Sequence, residues 1–135
     1  MSIVIDASVA VKWVLPEPAT DEALALQDEQ LIAPELWLAE AANALWRHVR
    51  VGEITPEQAL ARMHELTRAP VVSLPIEPHV ERALAFAIEL AHPIYDCLYL
   101  AVALTRDTYV VTDDRRFVAA ANRRELAGRV RLLVP

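Results

Sequence analysis

Asp6 follows the apolar triplet Ile3-Val4-Ile5 directly, and Asp113 and Asp114 follow Tyr109-Val110-Val111 after the single residue Thr112. Glu40 interrupts the apolar run Leu36-Trp37-Leu38-Ala39 to Ala41-Ala42, with Asn43 on the same helical face, and Asp96 heads Tyr95-Asp96-Cys97-Leu98-Tyr99-Leu100-Ala101. Carboxylates in apolar settings need partners. Several of them converging repel one another, and a divalent cation relieves that repulsion. With no histidine nearby in sequence, such hard oxygen donors favour Mg²⁺ or Mn²⁺ over zinc. The chemistry on offer is metal-assisted, because no other group of residues in the chain supplies a general base together with an electrophile.

For these acids to meet, the elements carrying them must share an edge. Short apolar runs alternate with longer amphipathic ones, which predicts an α/β fold. The spacing predicts strands at Ile3 to Ile5, Leu31 to Ala33, Val71 to Leu74, Tyr109 to Val111 and Val130 to Val134. Helices are expected at Ser8 to Leu15 with Ser8 as N-cap, Thr20 to Asp28, Glu35 to Val51 with Gly52 just beyond, Pro56 to Thr67, Pro78 to Ala91, Tyr95 to Arg106 and Arg115 to Asn122. Strands with little polar alternation imply a parallel sheet covered by helices on both faces. In such sheets ligands bind beyond the carboxyl ends of the strands, where Asp6, Asp113 and Asp114 would lie.

Each acid also has an ordinary explanation. Asp6 could cap the following helix, Asp96 could complement a helix dipole, Glu40 could pair with Arg47, and Asp113-Asp114-Arg115-Arg116 could be a charged turn. The joint arrangement weighs against four separate accidents.

The chain has 135 residues, 55% hydrophobic and 24% charged, which fits one domain over 1–135 and excludes a disordered chain. One cysteine, Cys97, and two glycines exclude a disulfide framework and a collagen-like repeat. A cytoplasmic setting is expected, with no membrane, since no apolar stretch nears the roughly 18 residues of a membrane helix and the N-terminus lacks a charged signal start. A net charge of −6 excludes nucleic-acid binding by bulk positive charge.

The matching stretches Ile3 to Ser8, Pro34 to Trp37 with Glu40 to Leu45, Tyr95 to Ala101 and Val111 to Phe117 resemble, in order and spacing, a PIN domain of the VapC-type toxins of toxin-antitoxin pairs. The resemblance covers nearly the whole chain. It implies a three-layer α/β/α sandwich with a central parallel sheet, and a Mg²⁺- or Mn²⁺-dependent endoribonuclease. It also implies neutralisation by a cognate VapB-type antitoxin, and a homodimer. By the same resemblance Asp6, Glu40, Asp96 and Asp114 would be the catalytic, metal-binding acids, supported by Ser8, Asn43 and Thr112. The family pattern of Thr, any residue, Asp selects Asp114, while the adjacent Asp113 could share or replace its role.

Arg115 and Arg116, with Arg123 and Arg124 behind them, are candidates for RNA phosphate contacts. His48, His64, His79 and His92 show no metal-ligand spacing and receive no role. Trp13, Trp37 and Trp46 are expected in the core or at a partner groove. Receiver domains and haloacid-dehalogenase-like phosphatases also place acids at strand ends, but need a late lysine, and the only lysine is Lys12. The remaining rivals are a PIN-fold protein that binds without cutting, and a PIN nuclease outside toxin-antitoxin systems.

Overall fold

The computed structural model describes residues 1–134, and their centre is a parallel sheet. Its strands are β1 (Ser2–Ile5), β2 (Gln30–Pro34), β3 (Val71–Leu74), β4 (Val110–Thr112) and β5 (Val130–Leu132). They lie in the order β3-β2-β1-β4-β5, and every neighbouring pair is parallel. Parallel neighbours require crossovers, which the helices provide. These are α1 (Ala7–Ala10), α2 (Thr20–Ala25), α3 (Leu36–Arg50), α4 (Pro56–Thr67), α5 (Val80–Leu90), α6 (Ile94–Thr105) and α7 (Arg115–Asn122). The arrangement is the expected α/β/α type.

Helix α6 is the main support of the sheet. Cys97 to Ala103 are all buried, and the helix packs against β1, β2 and β4 as well as α5. A helix apolar on every side is buried on every side, which is why this stretch lacks an amphipathic pattern. Val4, Ile5 and Val110 from the sheet and Phe117 from α7 complete the same core at 0% exposure.

Local signals end the elements where expected in most places. Thr55 caps α4 by accepting the Gln58 N–H while the Gln58 side chain accepts the Thr55 N–H, and Pro56 follows at the first helical position. Gly52, past the end of α3, has φ +80°, the left-handed backbone that terminates helices. The first helix differs from expectation. It is only one turn, continued by a 3₁₀ segment Val11–Trp13, and its N-cap is Asp6 rather than Ser8. Asp6 has the extended backbone a cap requires and accepts the Val9 N–H, whereas Ser8 already lies inside the helix.

Candidate active site

β1 leads to β2 and β3 on one side, while β4 and β5 lie on the other, so the sheet changes direction between β1 and β4. The carboxyl ends of those two strands are therefore adjacent at the opening where the crossovers diverge. Ile5 pairs with Val111, and the Asp6 N–H donates to the Val111 carbonyl at 3.4 Å.

Two hydroxyls stitch this junction together. Ser8 Oγ donates to Asp6 Oδ1 at 2.5 Å and accepts the Asp113 N–H at 2.9 Å. Thr112 Oγ1 donates to Asp6 Oδ2 and accepts the Asp114 N–H at 3.0 Å. Asp6 is only 5% exposed. Burial pushes its carboxyl up to about 7 against the pull of the Ser8 and Thr112 hydrogen bonds, and the nearby Asp96 charge pushes it further in the same direction.

Glu40 reaches in from α3. Its expected partner Arg47 lines the same cleft but makes no ion pair with it among the described residues; Tyr99 supplies the contact instead, donating its hydroxyl to Oε1 at 2.6 Å. Tyr99 is completely buried, and its hydroxyl is held far above the usual range by burial and by Glu40. Glu40 is itself raised by burial, with the Tyr99 bond opposing and Asp96 adding repulsion.

Asp96 occupies the first turn of α6 and is electrostatically coupled to Asp6, Glu40 and Asp114. Burial raises its carboxyl, the His92 hydrogen bond and charge oppose, and Asp114 raises it again. His92 had been given no role, yet its Nε2 lies 2.6 Å from Asp96 Oδ2. The four-residue interval between them was the available signal, masked by Pro93 and the chain reversal between α5 and α6.

The two consecutive aspartates separate. Asp113 is exposed and turns to Lys12, whose Nζ lies 3.2 Å from its Oδ2. Asp114 caps α7, with Oδ1 accepting the N–H groups of Arg116 and Phe117. A carboxylate oxygen of Asp114, one of Asp96 and a ring nitrogen of His92 all lie within 4.8 Å of one another. Asp6, Glu40, Asn43, Asp96, Asp113 and Asp114 share one cleft of about 580 Å³, also lined by Ser8, Arg47 and His48. Its donor chemistry suits a hard divalent cation, extended by one imidazole.

The cleft does not recruit every candidate. Arg115 and Arg116 are exposed at the start of α7, while Arg124 reaches back to the Glu89 carbonyl. Trp37 is 2% exposed and donates to Ser73 Oγ at 2.9 Å, so it belongs to the core and cannot line a groove. Trp13 is half-buried and tied to the Ala23 carbonyl. Trp46 alone of the three is open, at 53%, with the Arg50 guanidinium 4.9 Å from its ring centre.

Comparison with known proteins agrees with this architecture. The PIN domain family model matches residues 3–123. Ribonuclease VapC1 of Mycobacterium tuberculosis is 34% identical over 121 residues, covering 87% of this chain and 89% of that protein. Ribonuclease VapC3 of Pyrobaculum aerophilum is 31% identical over 121 residues, covering 86% and 92%. The crystal structure of Mycobacterium tuberculosis VapC20, described as a sarcin-ricin loop cleaving toxin, superposes with a TM-score of 0.67 at 17% identity, covering 87% of this chain and 94% of that one.

Proposed function

The chain belongs to the PIN domain family, and we propose that it is a metal-dependent endoribonuclease acting as the toxin of a toxin-antitoxin pair. The observation that carries this reading is the position of Asp96, coupled at once to Asp6, Glu40 and Asp114 in a single cleft. Capping accounts for Asp6 and Asp114 singly, but not for Asp96 being set against both of them and Glu40, where like charges raise the cost of ionisation. The relatives named ribonuclease, matched over most of their length, support RNA as the substrate.

In this reading Asp6, Glu40, Asp96 and Asp114 would hold Mg²⁺ or Mn²⁺. A cation bound by them would act as a Lewis acid that polarises the phosphate and would lower the pKa of a water molecule. The protein's own residues prepare that chemistry. Ser8 and Thr112 fix the orientation of Asp6, Tyr99 fixes Glu40, and the α7 N–H groups fix Asp114. Exposed Arg115 and Arg116 offer phosphate contacts beside the cleft, which offsets the net negative charge of the chain. Hydrolysis forms a bond from water oxygen to phosphorus and breaks the bond to the 3′ oxygen, which leaves with a proton.

The partner is a small antitoxin of the VapB type, working in the cytoplasm on a toxin homodimer. Helix α3 presents Asn43 and Arg47 to the cleft and exposes Trp46 near its end, so an amphipathic segment anchored at Trp46 would lie close to the acids. A basic side chain on that segment would take the place of the cation.

The deciding experiment incubates purified protein with RNA in Mg²⁺ or Mn²⁺, in chelator, and beside Asp96→Asn. Cleavage is expected only with the cation and the intact aspartate. Undiminished cleavage in excess chelator overturns the reading.

A further inference from the structure

We propose that His92 is a direct metal ligand through Nε2, and that this nitrogen gives the cleft a preference for Mn²⁺ over Mg²⁺; the inference rests on the metal-dependent reading above and deepens it.

The ring is fixed in place before any ion arrives. Ala91, immediately before it, holds a left-handed backbone with φ +49°, and this turn brings His92 back over the start of α6. The His92 N–H is tied to the Ala87 carbonyl at 3.1 Å. Its imidazole stacks on Phe117, with ring centres 5.3 Å apart and planes 16° from parallel, and Phe117 is itself fully buried. Only 11% of the His92 side chain is exposed. Little rotamer freedom remains to be lost on ligation.

Nε2 also faces the right atoms. It lies 2.6 Å from Asp96 Oδ2, and a ring nitrogen of His92 lies within 4.8 Å of carboxylate oxygens from both Asp96 and Asp114, a separation on the scale of ligands sharing one cation whose bonds run about 2.0–2.2 Å. Ligation exchanges the Nε2 hydrogen bond to Asp96 Oδ2 for the ion: the ring proton moves to Nδ1, which frees the Nε2 lone pair, and Asp96 Oδ2 turns to the same cation.

The choice of ion follows from donor chemistry. Mg²⁺ is served by oxygen and water, whereas imidazole is a good ligand for first-row transition ions. Replacing one oxygen donor by an imidazole nitrogen therefore favours Mn²⁺. If His92 instead only orients Asp96 from outside the coordination sphere, it would strengthen binding of both ions alike.

Electron spin echo spectroscopy of the full chain loaded with Mn²⁺ separates these cases. Direct ligation gives a nitrogen modulation in the wild type, retained in His48→Gln, which removes the histidine that lines the cleft itself. It should vanish in His92→Phe, which keeps an aromatic ring on Phe117, and in His92→Gln. Calorimetric titration should show the Mn²⁺ over Mg²⁺ affinity ratio falling about tenfold in either His92 variant. Bound Mn²⁺ without nitrogen modulation in the wild type, or modulation surviving in His92→Phe, overturns the assignment while leaving the metal-dependent reading intact. Failure of the wild type to bind either ion would overturn that reading and this inference with it.

Discussion

Lys12 and Asp113 form an ion pair across 3.2 Å between a lysine whose side chain is 3% exposed and a carboxylate that is 45% exposed. The lysine also donates to the Pro18 carbonyl at 2.8 Å, so the pair pins the β4–α7 loop to the segment after α1. This assigns different work to the two consecutive aspartates. Asp113→Asn should lower stability by about 1–2 kcal/mol, because a buried ammonium loses its nearest charge partner while solvent screens part of the effect. Asp114→Asn should retain much of its capping role and lose cation affinity. Thermal melts beside Mn²⁺ titrations check both, and the reverse pattern would move the ligand role to Asp113.

Asp6 makes the metal-free protein sensitive to pH. Its folded carboxyl is raised from the ordinary 3.8 to about 7, so the folded state holds a proton that the unfolded chain releases. The resulting stabilisation is complete below the unfolded value and is lost as pH rises through about 7, a change of the order of 4 kcal/mol. Denaturation in chelator should therefore show higher stability at pH 5 than at pH 8. Asp6→Asn should flatten the difference and abolish cleavage. A protein less stable at pH 5 would contradict this balance.

Tyr99→Phe tests the Glu40 support. The variant removes one buried hydrogen bond, for about 1 kcal/mol of stability, and leaves Glu40 without the donor that favours its ionised form. Cation affinity near neutral pH should fall while the fold persists. Glu40→Gln should keep the Tyr99 bond and its stability but lose cleavage. Equal affinity in wild type and Tyr99→Phe would show that Glu40 ionises without help.

Trp37 and Trp46 should divide cleanly. Trp37→Ala should cost about 3–5 kcal/mol, since it empties a core site. Trp46→Ala should change stability by less than about 0.5 kcal/mol and leave RNA cleavage intact. Its affinity for the cognate antitoxin should drop by about 2 kcal/mol or more if this ring anchors the complex. Unaltered inhibition would remove α3 from the contact surface.

Most of the framework was legible because it rests on local signals. Apolar triplets marked β1 and β4, Thr55 with Pro56 marked the start of α4, and Gly52 marked the end of α3. The acids at strand ends stood out because the strands before them were so plainly buried. What escaped depends on contacts distant in sequence or on backbone turns without a marker. Trp37 takes the core place open to it, but its bond to Ser73, 36 residues away, is nothing helix periodicity reveals. His92 reaches Asp96 through a left-handed turn at Ala91, a residue type that gives no warning of one. Nothing in the local sequence shows that the chain around Pro18 and Asp113 closes over Lys12.

The central place of β1 has a consequence for the order of events during synthesis. This strand leaves the ribosome among the earliest residues, yet one of its two neighbours, β4, is among the latest, and the Thr112 hydroxyl that steadies Asp6 is 106 residues downstream. Chains are made from the N-terminus, and a domain folds as a unit once its parts are present. The sheet thus cannot close around β1, nor the acidic cluster assemble, until β4 and Asp114 have been made, long after the α3 segment that carries Trp46. The segment that offers Trp46 is synthesised ahead of the chemistry to be inhibited, so a partner present during translation meets the nascent nuclease before it is able to cut.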